Sequence, residues 1–137
     1  MSEKKMWQDL SHLMKGRWHA TRHEDGLSEG ILDLSFGCVG VQGWVELKYL
    51  DRWPTRPGTL VVPNHPLTPH QRLFLHLRGR GCFVMFQVGD IWMLFNWING
   101  QGVGTWNTQQ TKDHALKIWP GPPPAADLAD YLCGESL

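Results

Sequence analysis

Apolar and polar residues keep a helical period near the two ends of this chain, and between them they alternate as strands do. From Glu3 to Lys15, the residues Met6, Trp7, Leu10, Leu13 and Met14 share one helical face. Lys4, Asp9 and Lys15 lie opposite, Ser2 can cap the start and Gly16 stops the run. This predicts an amphipathic helix within residues 1–15, turned inward by Trp7 and Leu10. Alternation begins at Arg17 to Arg22 and breaks at the turn cluster Glu24, Asp25, Gly26. Leu32, Leu34 and Phe36 then alternate with Asp33 and Ser35. After a turn at Gly37 to Gly40, Val41, Val45, Leu47 and Tyr49 face away from Trp44, Glu46 and Lys48. The spacing predicts two half-buried strands.

Residues 51–70 carry Pro54, Pro57, Pro63, Pro66 and Pro69, which cannot donate to a sheet ladder, so a stiff loop is expected with a short strand at Thr59 to Val62. Four further strands follow as a meander: Arg72 to Leu77, Cys82 to Val88, Ile91 to Ile98 with a turn at Asn99-Gly100, and Val103 to Thr108. Ala115 to Trp119 reads as a last strand. Within 120–137, Gly121 to Pro124 is a polyproline-like break and Ala125 to Leu132 a short helix ended by Gly134. The fold class expected is all-β and mainly antiparallel, with about eight strands forming a barrel, or a two-sheet sandwich as its rival. One domain over 1–137 is expected, since 137 residues suit a single core.

Hydrophobic residues at 42% against 19% charged exclude a disordered chain and leave room for an apolar surface. Thirteen basic and thirteen acidic side chains cancel, which argues against nucleic acid as a partner. The polar start MSEKK and the lack of any long apolar run imply no membrane span and a cytoplasmic protein. Cys38, Cys82 and Cys133, odd in number and without a CxxC pair, read as reduced core thiols.

No motif announces catalysis: GxSxG, HExxH and phosphate-cradling glycine loops are absent, and an enzyme is not the first expectation. Catalytic groups can be distant in sequence, and His76 with Asp90 or Glu46 is an acid-base pair that spacing alone would not show. No metal site is expected, because His19 and His23 on a strand lie about 13 Å apart. His65 and His70, beside prolines, read as solvated loop residues. The run Arg78-Gly79-Arg80-Gly81-Cys82-Phe83-Val84-Met85-Phe86 fits a hairpin better than an RNA-binding strand, because Arg80 and Cys82 break the aromatic register.

Eight tryptophans, at 7, 18, 44, 53, 92, 97, 106 and 119, supply large apolar surfaces with one donor each. At matching strand parity, Trp44, Phe74, Trp92 and Trp106 can wall a pocket, with His76, Arg78 and Asn96 as polar handles. A strand pair apolar on both faces, Cys82 to Ile98, must be covered on both, by the barrel interior and by a helix, ligand or partner.

Met14-Lys15-Gly16-Arg17-Trp18, a helix running into Gly-x-Trp, resembles the opening of lipocalin-like barrels of the calycin type. Gly16-x-Trp18-x-x-x-Arg22 is similar to the opening of S-type phycobiliprotein lyases, barrels that handle an open-chain tetrapyrrole. The resemblance implies a barrel. The expected function is a binding module for an apolar or aromatic small ligand, with no cofactor specified. The alternative is an accessory subunit, assembly factor or inhibitor docking a protein through Trp53, Arg56 and the Pro-rich tail, with homo-oligomerisation open.

Overall fold

The computed structural model describes residues 2–23, 32–38 and 40–135, so the turn expected at Glu24 to Gly26 falls outside the described residues. Helix α1 (Glu3–Leu13) starts at Ser2, whose side chain accepts from the Lys5 N–H, and it buries Met6 and Leu10. A meander follows, of β1 (His19–Arg22), β2 (Leu34–Cys38) and β3 (Val41–Leu50). Helix α2 (Pro69–Arg78) then carries the chain across, and β4 (Cys82–Val88) returns parallel to β3, from Trp44↔Cys82 to Leu50↔Val88. Strand β5 (Ile91–Asn96) pairs antiparallel with β4 and with β6 (Lys117–Trp119). Between β5 and β6 lie α3 (Trp97–Gly100) and α4 (Thr108–His114), and α5 (Ala125–Glu135) comes last.

The sheet has six strands in chain order and is open, with β1 and β6 at its edges and a parallel pair at its centre. Among the described residues five helices accompany it. This corrects the all-β expectation, barrel and sandwich alike, and with it the calycin and lyase resemblance, since a lipocalin-like barrel closes its sheet on itself.

The error has a local origin. Leu73, Leu75 and Leu77 alternate with Phe74 and His76, and the alternation reads as a strand. The ends decide otherwise: Thr68 caps the helix, Pro69 opens its first turn, and Gln71 completes a capping box. With α2 a helix, the β3-to-β4 connection is a crossover, and β4 lies parallel to β3. Similarly, Asn99-Gly100 is no hairpin: the Asn96 side chain accepts from the Asn99 N–H and starts α3. Val103 to Asn107 forms turns rather than a strand and Thr108 opens α4, and Thr59 to Val62 joins no strand.

Both faces of the sheet are covered. One core joins Met6, Leu10 and Met14 of the N-terminal segment, Leu128 and Leu132 of α5, and Leu34, Phe36, Val45, Leu47, Phe83, Met85, Trp92 and Leu94 of the strands. The other joins Leu75 of α2 with Val61, Leu67, Val84, Phe86, Met93, Phe95 and Val103. Every residue of β4 is therefore buried, as expected of a central parallel strand. Gly43 lets β3 come this close: a Cβ there would sit 2.2 Å from the Gly81 carbonyl and 2.6 Å from the Phe36 ring.

Cys38 and Cys133 form a disulfide joining the end of β2 to α5, which corrects the expectation of three reduced thiols. Cys82 is free and buried, and burial pushes its thiol up to about 11. Among the described residues no helix is long and apolar enough to cross a membrane.

Candidate active site

The centre of the sheet holds a polar cluster that its surroundings make costly. The β2–β3 ladder ends at Leu34↔Val45, and one step beyond it Asp33 meets Glu46. The Asp33 N–H donates to Glu46 Oε1 at 3.0 Å, and the Leu47 N–H donates to Asp33 Oδ2 at 2.9 Å. Two positions on, Lys48 points to the same side of β3 as Glu46. Its Nζ lies 2.9 Å from Glu46 Oε2. Glu46 is 1% exposed and Lys48 4%, whereas Asp33 and Gln71 are half-buried and leave the cluster open on their side.

Gln71 belongs both to the helix cap and to the cluster. Its Oε1 accepts from the Thr68 N–H at 3.0 Å and from Lys48 Nζ at 3.4 Å, and its Nε2 donates to Glu46 Oε2 at 2.9 Å. The capping box that starts α2 thus holds the amide against the carboxylate.

Burial, first, and the charge of Asp33, second, push the Glu46 carboxyl up to about 8, with Lys48 and the hydrogen bonds offsetting only part of this. Burial raises Asp33 as well, against the opposing pull of the Leu47 N–H, Lys48, Glu46 and Arg22. Near neutral pH the pair holds a proton that either acid alone in water would have lost. A divalent cation bound between the carboxylates would replace that proton and cancel the repulsion.

The donors fit one kind of cation. Among the described residues no three His, Cys, Asp or Glu side chains come together, so no closed zinc-like cage is present. Two carboxylates are what a magnesium-type ion needs, because it keeps waters and takes substrate phosphate oxygens for its other positions.

Trp44, Phe74 and Arg78 of the anticipated ligand site do come together. The Arg78 guanidinium lies 5.0 Å from the Trp44 ring centre and 5.1 Å from that of Phe74, and the two rings meet edge to face at 5.7 Å. Trp92 is on the opposite face of the sheet, 1% exposed in the core with α1 and α5. Trp106 stacks on His114 at 4.2 Å and packs on Phe95. His76 is exposed on α2, and Asp90 is exposed in the β4–β5 turn, so neither joins Glu46. Asn96 caps α3 and edges an open cavity of about 360 Å³ with Arg80, Phe83 and Trp97. Trp53 lies under the Lys112 ammonium at 4.9 Å, and Arg56 is exposed. These residues enclose no common pocket, and an open sheet has no interior to hold an apolar ligand. The small-ligand module falls with the barrel, and so does the accessory-subunit alternative: the apolar second face it needed is covered by helices, and Trp53, which it offered to a partner with Arg56 and the Pro-rich tail, packs under Lys112. His23, read with His19 as too distant to share a metal, is hydrogen-bonded to Ser35 Oγ at 2.9 Å.

Asp33 and Lys48 escape the sequence reading, and Glu46 enters it only as a distant partner for His76, because alternation assigns polar positions on a strand to solvent; Gln71 escapes because it sits between the proline-rich loop and a segment that reads as a strand. The available signal is the next strand: Cys82 to Val88, apolar on both faces, requires a neighbour that is covered too, and then Glu46 and Lys48 are buried charges.

No family model matches the chain. No curated protein matches it either. Among solved structures it is similar to the Holliday junction resolvase Hjc of Archaeoglobus fulgidus, at 19% identity over 69% of this chain and 77% of that one, with a TM-score of 0.48. With a TM-score below 0.5 that likeness decides neither fold nor function.

Net neutrality conceals a strong asymmetry, which corrects the expectation against nucleic acid. Residues 52–89 contain Arg52, Arg56, Arg72, Arg78 and Arg80 and no Asp or Glu. This segment includes α2, the helix that brings Gln71 to the cluster. A total charge of zero therefore does not describe the field beside the site.

Proposed function

We propose that this protein hydrolyses phosphodiester bonds of nucleic acid with a divalent cation held by Asp33 and Glu46. The observation that carries the reading is two facing carboxylates, both raised in pKa, with Lys48 at 2.9 Å from one of them in the middle of a sheet. A purely structural role would favour apolar side chains here, since burying like charges side by side costs stability.

The cation, when bound, supplies positive charge to a phosphate oxygen and lowers the pKa of a coordinated water. The chain does the rest. Asp33 accepts from the Leu47 N–H and Glu46 from the Asp33 N–H, which fixes the two carboxyl groups, and Gln71 and Lys48 both hold Glu46 by its other oxygen. Lys48 aims an ammonium at the same place, where it can donate to the attacking water or to the charge that grows on the phosphoryl oxygens. Water adds at phosphorus as the ester P–O bond breaks; the water loses a proton and the leaving oxygen gains one, giving a phosphomonoester and a hydroxyl. The acid-free arginine segment beside α2 supports a polyanionic substrate.

The test is cleavage of labelled single-stranded, duplex and Holliday-junction DNA, and of RNA, with magnesium or manganese against chelator. We expect cation-dependent cleavage by the wild-type protein and a loss of at least about a hundredfold in Asp33→Asn, Glu46→Gln and Lys48→Met, in line with removal of groups that stabilise a transition state. Absence of cleavage on every substrate, or activity that survives Glu46→Gln, refutes the proposal.

A further inference from the structure

We infer that Trp44, Phe74 and Arg78 form a stacking platform for an unpaired nucleobase beside the hydrolytic site, so that the strand being cut is engaged unpaired. The inference rests on the hydrolase reading for the position of the phosphate. The platform is tied to the site through both of its supports. Trp44 precedes Glu46 by two residues and so lies on the same face of β3, about 7 Å along the strand. Phe74 follows Gln71 by three residues, and Arg78 follows Phe74 by four, which puts all three on one side of α2. The strand and helix that aim a carboxylate and an amide at the cluster therefore present, one step further on, two aromatic rings under a guanidinium. Trp44 and Phe74 are half-buried and Arg78 is exposed, so a flat group reaches the guanidinium plane from solvent and the rings by displacing it.

Aromatic rings and guanidinium planes are the surfaces on which proteins stack unpaired bases, and they accept any base because every base has a π-face. In a duplex those faces are hidden within the stack, so such a platform selects unpaired nucleotides. The segment from Arg52 to Gly89, which contains α2, carries five arginines and no acidic residue; the carboxyl groups beside the platform are those of the cluster, Asp33 and Glu46.

The experiment is fluorescence anisotropy in chelator, which reads binding without cleavage, using a labelled oligothymidylate and a duplex of equal length. Trp44→Ala and Arg78→Gln are each expected to weaken single-strand binding about tenfold and duplex binding by less than about twofold. Equal losses on both probes, no loss on either, or no single-strand binding by the wild-type protein overturns the inference. If Trp44→Ala does not fold, the exposed Arg78→Gln decides the matter. A selective single-strand loss in a protein without cation-dependent cleavage removes the hydrolase reading and keeps the platform. Cleavage that depends on Glu46, with oligothymidylate binding unchanged in Arg78→Gln, does the reverse.

Discussion

Replacing Glu46 by glutamine separates the cost of the candidate site from its use. The carboxyl is pushed from 4.5 up to about 8 by burial and by Asp33. Below about pH 4.5 it is protonated folded or unfolded and costs nothing. As pH rises, the unfolded chain gives up its proton while the folded chain keeps it, so the stability that protonated Glu46 confers is lost progressively until pH passes the folded value. A span of roughly 3.5 units corresponds to at most about 5 kcal/mol. Glutamine stays neutral and matches the protonated acid in shape; its carbonyl oxygen can take the place of Oε2 and accept from Gln71 and Lys48, which sets its amide against the Asp33 N–H at a cost that does not vary with pH. Even half of that ceiling would raise Tm by about 8 °C in a chain of this size. The Tm of Glu46→Gln relative to the wild-type protein should thus climb clearly between pH 5 and pH 9, followed by circular dichroism across the pH range. Magnesium should raise the wild-type Tm at high pH by binding the folded state alone, and should not move the variant. Parallel curves of Tm against pH for the two proteins, or a variant that loses ground to the wild-type protein as pH rises, would show that Glu46 ionises freely and that the cluster has no need of a cation.

Three further outcomes test the architecture. Trp92→Ala should cost about 3 to 5 kcal/mol in denaturant melts, because Trp92 is core and not a pocket wall. Reduction of Cys38–Cys133 should lower stability by about 5 kcal/mol by the loop-closure argument, given a separation of 95 residues, and leave cleavage by the still-folded protein intact. Gly43→Val should prevent β3 from closing on the Gly81 carbonyl, visible as loss of cooperative unfolding.

What could be read from the sequence was set by how far each local pattern determines its own environment. Met6, Leu10 and Met14 recur at helical spacing, and a helix lies at Glu3–Leu13. Leu34 and Phe36, and Val45, Leu47 and Tyr49, alternate and lie on strands. The run from Leu73 to Leu77 did not, because leucines spaced by two suit a strand, and only the cap at Thr68 and Gln71 identifies the helix. That one segment determined the topology: reading it as a strand makes the whole chain antiparallel and closes it on itself. The candidate site followed the topology. Glu46 and Lys48 are ordinary outward residues on a half-buried strand, and they become chemistry only once the crossover covers them and Asp33 arrives from the preceding strand. Trp44, Phe74 and Arg78 share a strand parity in the sequence reading, but Phe74 and Arg78 meet Trp44 from a helix, and Trp92 and Trp106 of the same expected pocket lie elsewhere.

The bond between Cys38 and Cys133 makes a covalent ring of everything between them, including β3, α2, the proline-rich segment and the whole second half of the sheet. A protease that cuts once inside this ring, at the exposed stretch from Thr55 to Leu60 for example, opens it without releasing a fragment. Asp33 stands outside the ring, while Glu46, Lys48 and Gln71 stand within it. A nicked molecule would therefore run as two pieces only after reduction, and until then would keep all four residues on one covalent skeleton.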